Sequence, residues 1–181
     1  MDLTLNIYDK SGKEVVKVLK SSTYDLMFTT IRKIMAILKV ESLDNNVEIL
    51  KIICEAWDEV VDVLSAVFPD AEESDWDGVK VKELVPVVMD IAKFAITDAL
   101  TIPSKEPVSF QEMLFQINYN LCKEFPAFTP FEICKSKYHE VILLYSDVRR
   151  EQIRQEKEEN RKTKVVNGKR IPKRRAKDNW F

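Results

Sequence analysis

Glycine is nearly missing: three occur in 181 residues. Folds that turn their corners on glycine, such as sandwiches, barrels and dinucleotide-binding units, are therefore disfavoured. Histidine occurs once, at position 139, which leaves catalytic triads, most zinc sites and most general-base schemes excluded or strained. It stands beside Tyr138 on an apolar stripe and reads as a helix-surface residue. The three cysteines, Cys54, Cys122 and Cys134, form no CxxC pair, so neither a disulfide framework nor a zinc knuckle is supported, and reduced core thiols are expected. No GxxxxGK[ST] or GxGxxG stretch is present to cradle a phosphate. Long apolar runs are missing too: the greasiest segment, 84–100, is interrupted by Asp90, Lys93 and Asp98. The opening MDLTLNIYDK lacks the basic-then-apolar profile of a signal peptide. The expectation is a soluble, intracellular protein with no membrane partner. No catalytic, cofactor-binding or metal-ligating set can be named, so it is expected not to be an enzyme and to need no cofactor.

What remains favours helices. Apolar residues make up 45% of the chain, enough for a core, and Leu, Ile, Val, Lys and Glu suit amphipathic helices. A net charge of -2 conceals a segregation, because residues 147–181 hold an excess of Lys and Arg while 1–146 are strongly acidic. Such a division suits two different partners.

Leu3, Leu5 and Ile7 alternate with polar residues, and 9–13 form a turn cluster before a second strand over 14–19. The chain thus opens with a hairpin. Ser22 or Thr23 caps a helix carrying Met27, Phe28, Ile31, Ile34, Met35 and Leu38. Asp44 or Asn45 starts a longer helix that Pro69 ends. Its apolar face, broadened by Ile49, Ile52, Val60 and Val63, is wider than a single stripe, so these four residues are candidates for partner binding. Pro86 is placed at the first position of a third helix, which reaches Leu100. Prolines at 103 and 107 mark a linker over 102–108. Ser109 with Glu112, and Thr129 with Pro130 and Glu132, then open two further helices.

The fold class is mainly α with a small N-terminal β-hairpin (α+β). A β-β-α-α-α domain covers 1–101, a two-helix extension covers 109–150, and 151–181 form a charged, basic tail, expected to be flexible, whose first part, polar all round, is either a frayed, solvated helical extension or disordered. The acidic loop of Asp70, Glu72, Glu73, Asp75 and Asp77 lacks the EF-hand order and reads as solvated. Glu55, Asp58, Glu59 and Asp62 form the polar edge of a helix, while Trp57 and Trp76 read as core and loop-anchor residues. In the tail, Lys169, Arg170, Lys173, Arg174 and Arg175 would attract an anionic partner, and Trp180 and Phe181 gain by docking.

The LTLNIYDKSGKEVVKV hairpin, the acidic helix EILKIICEAWDEVVDVL with its central Trp57, and the DWDGVKVKELVPVVMDIAKFAI segment together resemble the tail assembly chaperones of long-tailed bacteriophages of Gram-positive hosts. Residues 108–181, with the turn Phe125-Pro126-Ala127-Phe128-Thr129-Pro130, are similar to the extension that such phages often attach by ribosomal frameshifting. The resemblance implies that 1–100 coat the tape measure protein and that the extension recruits tail tube subunits. It also implies possible self-association, a place in the host cytoplasm and absence from the mature virion. The alternative is a nucleic-acid-binding regulatory protein that uses the basic tail.

Overall fold

The computed structural model describes residues 1–38, 45–103, 109–166 and 169–172, with backbone alone for 164–166, 169–170 and 172. The protein is mainly helical with an N-terminal hairpin, as the sequence predicts. Strands β1 (Asp2–Tyr8) and β2 (Val15–Ser22) pair antiparallel with Leu5 opposite Leu19 and a bulge at Ile7/Tyr8. Their turn is held by the Asp9 carboxylate, which accepts from the Lys13 and Glu14 N–H groups and the Ser11 hydroxyl. Gly12 supplies the positive φ of 69° that the reversal requires. Alternation buries Leu3, Leu5, Ile7 and Leu19 on one face.

Ser22 caps only a 3₁₀ turn, Thr23–Asp25, and α1 (Phe28–Ile37) begins later than the sequence predicts. Asn45 caps α2 (Asn46–Glu55), its side chain accepting from Val47 and Glu48 N–H. The single long helix expected up to Pro69 is broken at Ala56 (φ -115°, ψ 39°), and α3 (Trp57–Val67) resumes at once. After a 3₁₀ turn over Glu73–Gly78, α4 runs Val81–Ala99. Pro86 therefore lies inside α4 and not at its first position. The helix tolerates it because Pro86 and Lys82 are both exposed, so the Lys82 carbonyl that loses its N–H partner lies on the wet side. Trp76 is buried and anchors the acidic loop, where Asp75 pairs with Lys17 at 2.6 Å. That ion pair holds the Asp75 carboxyl below its ordinary range and the Lys17 ammonium above its own. Tyr8 and Asn6 both donate to the Glu83 carboxylate, fixing the hairpin to α4.

The C-terminal half of the chain forms α5 (Phe110–Glu124), α6 (Pro130–Cys134) and α7 (Tyr138–Lys162). Thr129 and Glu132 complete a reciprocal capping box with Pro130 in the first turn, as their spacing predicts. The helix they open is short. At Lys137 the chain extends and pairs with the segment before α1: Phe28 N–H donates to Ser136 C=O, and Tyr138 N–H donates to Leu26 C=O.

This clasp corrects the predicted division at 102–108. One apolar core runs from Leu3 to Tyr145, and α1 touches α3, α4, α5, α6 and α7. Tyr138 is fully buried, stacks obliquely on Phe28, and donates its hydroxyl to Ala95 C=O at 2.7 Å. The two-helix extension is part of the main core because α1 has apolar residues on more than one side and needs α5 and α7 to cover them.

The apolar stripe of α7 ends near Ser146, yet the helix continues to Lys162. From sequence that polar half is either a solvated helical extension or part of a flexible tail. It is helical, carrying Arg150–Asp147, Arg154–Glu151 and Lys162–Glu158 pairs at three- and four-residue spacing. A second hairpin, β3 (Thr163–Val166) with β4 (Lys169–Pro172), follows it. The predicted Asn167-Gly168 turn lies outside the described residues.

Candidate protein-binding groove

Three of the four predicted docking residues of α2 and α3 are not on the surface. Ile49, Val60 and Val63 are buried in the core, and Ile52 is half-buried against it. Ile53, Val60, Val63 and Leu64 meet Ile34, Leu38 and Val88 across the α1–α3–α4 junction. The break at Ala56 lets the two halves of the expected helix follow a curved interior, so Ile49, Val60 and Val63 are covered within the same chain while Val47 and Leu50 stay exposed. Lys169 and Arg170 fall in β4, where only the backbone is described, while Lys173, Arg174, Arg175, Trp180 and Phe181 lie outside the described residues. The thiol expectation also needs amending: Cys122 and Cys134 are half-buried, but Cys54 is exposed.

Apolar surface is instead open on α5. Ser109 caps this helix by accepting from Glu112 N–H at 3.2 Å. Its 3.6-residue period then sends Leu114, Ile117 and Leu121 inward. Gln111, Phe115, Asn118 and Cys122 follow at steps of four, three and four along an adjacent stripe. Together with Tyr119 they form one wall of a groove of about 650 Å³. Arg32 and Ala36 of α1 form the other wall, and Pro130 closes one end. Phe115 and Tyr119 are 70% and 60% exposed and stack with ring centroids 6.5 Å apart. Phe131, next to Pro130 in the chain, is 78% exposed. A low wall at Ala36 opposite a ridge of two aromatics leaves space for an incoming helix.

Among the described residues Arg32 is the only charged one lining the groove, and the Cys122 thiol lies 3.7 Å from Asn118 Oδ1. The surroundings are otherwise neutral and apolar, which favours burial of hydrocarbon over recognition of an ion. Covering Phe115 or Tyr119 fully would contribute about 1.5–3 kcal/mol each before the cost of ordering is set against it.

His139 lies elsewhere. Its Nδ1 is 2.8 Å from Asp98 Oδ2, with Tyr24 and Phe94 edging the ring, so it ties α7 to α4. Among the described residues, no three His, Cys, Asp or Glu side chains gather in a way that would hold a metal ion. No described helix is long and apolar enough to cross a membrane. No family model, no curated protein and no solved structure matches the chain.

Phe115, Tyr119 and Phe131 were not among the sequence-predicted site residues. Their signal was readable: Phe115 and Tyr119 stand four apart, off the Leu114–Ile117–Leu121 stripe, on the side of α5 that its own core leaves uncovered.

Proposed function

We propose that this protein is a tail assembly chaperone of a long-tailed phage, holding a helical segment of the tape measure protein in the α1–α5 groove. The observation that carries this reading is the exposed Phe115–Tyr119 ridge beside the low Ala36 wall. An amphipathic helix docks in such a groove through apolar residues spaced three and four apart. The resemblance of residues 1–100 to the chaperone family supplies the identity of the client. The groove supplies a different place for it from the α2–α3 face expected from sequence.

On this reading the protein acts by binding, without a catalytic step. It works in the host cytoplasm and leaves the tail as tube subunits replace it. The polar half of α7, which lies outside the apolar core, meets the tube protein. The charge segregation between body and tail supports two partners over one.

Co-expression of the full chain with the tape measure protein tests this. The expected outcome is a soluble complex that co-purifies, with the client insoluble when expressed alone. A client equally soluble without the chain, and no co-purification, would refute the assignment.

A further inference from the structure

A second groove, of about 690 Å³, lies along α2 and α3 and differs in character from the aromatic one. Glu48, Ile52, Glu55 and Glu59 line it at steps of four, three and four, so one stripe continues across the break at Ala56. Val47, 75% exposed, lies beside that stripe. Among the described residues Lys51 is the only cation in the lining, and it already lies 3.6 Å from Glu55. The groove thus sets two apolar side chains among three carboxylates.

The polar half of α7 repeats the rhythm with the opposite charge. Arg150, Arg154, Lys157 and Arg161 also follow at steps of four, three and four, so they share one side of that helix. From 48 to 59 and from 150 to 161 the chain advances by the same eleven residues, about 16 Å of helix. Arg150 and Arg154 bond Asp147 and Glu151 on their own helix, yet every side chain of these pairs is at least 45% exposed. A guanidinium has several N–H donors, so each arginine can take a second carboxylate.

No residue of α7 lines the groove of its own chain. The first half of α7 is held against α1 and α4, and the helix runs unbroken to Lys162, so its polar half does not fold back onto α2 and α3. We propose that the polar half of α7 docks in the α2–α3 groove of a second copy, its four cations against Glu48, Glu55 and Glu59 and their aliphatic stems over Val47 and Ile52. Each copy offers both stripes, so one twofold axis satisfies two such contacts at once. Exposed ion pairs are individually weak, and the contact therefore depends on the stripes engaging along their length. A tube subunit that takes the same half of α7 displaces the second copy. None of this depends on what the aromatic groove holds.

Sedimentation of the isolated full chain, with no client present, tests the proposal. A dimer should form between about 1 μM and about 1 mM chain. Its association constant should fall roughly tenfold between about 0.05 and about 0.5 M salt, as the Debye length shrinks. Lys157→Glu with Arg161→Glu in one protein, and Glu55→Lys with Glu59→Lys in another, should each weaken self-association roughly tenfold with circular dichroism unchanged. Mixing the two variants should restore it, because reversed helix then meets reversed groove and the native stripes meet each other. Carbodiimide cross-linking of isotopically light and heavy unaltered chains should join Lys157 to Glu48, Glu55 or Glu59 across isotopes. A monomer throughout that range, no rescue on mixing, or links within one isotope only would overturn the contact. Self-association lost in Phe115→Asp/Tyr119→Asp, or in Arg174→Glu/Arg175→Glu, would place it on the aromatic ridge or the terminal segment and overturn it equally.

Discussion

Tyr138 shows how one side chain joins parts of the molecule that are distant in sequence. Its backbone N–H reaches Leu26, its hydroxyl reaches Ala95, and its ring lies against Phe28 and Phe94. Burial pushes its phenol far above the ordinary range, so it stays a neutral donor. Tyr138→Phe keeps the ring and is predicted to cost about 1 kcal/mol in urea unfolding. Tyr138→Ala should cost about 3–5 kcal/mol. Equal losses for the two variants would contradict a packing role. Asp9 makes a pH prediction. Hydrogen bonds from Ser11 and from the Glu14 and Lys13 amides lower its carboxyl from 3.8 to about 2. A depressed folded pKa means that the ionised turn contributes fully above pH 3.8 and loses that contribution as pH falls toward about 2. Hydrogen exchange at Glu14 should accelerate across that window, and Asp9→Asn should remove the pH dependence. At this scale the sequence was legible for caps and turns, because Asn45, Ser109 and Thr129 act through neighbours two or three residues away. The partners of Tyr138 were not legible, since Ala95 and Leu26 are brought to it only by packing.

Helix existence was read correctly more often than helix extent. Both long helices expected from periodicity are broken, at Ala56 and at 135–137. In each case the apolar spacing continues through the break, so periodicity alone gives no warning. The second break has a cause outside the helix: an extended Lys137 is needed to pair with Met27. The polar half of α7 lacks an apolar stripe yet is helical, one of the two readings its sequence leaves open. Lys, Arg, Glu and Gln have good helix propensity, and its ion pairs at spacings of three and four add to it. Pro86 is the element-scale test. Inside α4 it removes one N–H donor, so Pro86→Ala should raise stability by about 1–2 kcal/mol in chemical denaturation. Had Pro86 stood at the first helical position, the change would be neutral or destabilising.

The whole molecule is organised around α1, which is why the sequence-based division into an N-terminal domain and an appended extension fails. Prolines at 103 and 107 stand between α4 and α5 in the sequence, yet the core residues on either side of them are continuous. A fragment ending at residue 101 would strip α1 of α5 and α7, exposing parts of a core that includes Phe28 and Ile31. The full chain should unfold in one cooperative transition, and the fragment should aggregate or lose it, as calorimetry would report. The same architecture explains why the predicted docking face vanished. The buried part of the apolar width on α2 and α3 is answered by α1 and α4 of the same chain, whereas α5 receives no such cover over Phe115 and Tyr119. The central claim is therefore best tested by titrating the full chain, and its Phe115→Asp/Tyr119→Asp variant, with the tape measure protein. With circular dichroism unchanged, the account predicts at least a tenfold loss of affinity, about 1.4 kcal/mol. Undiminished binding by that variant would contradict it.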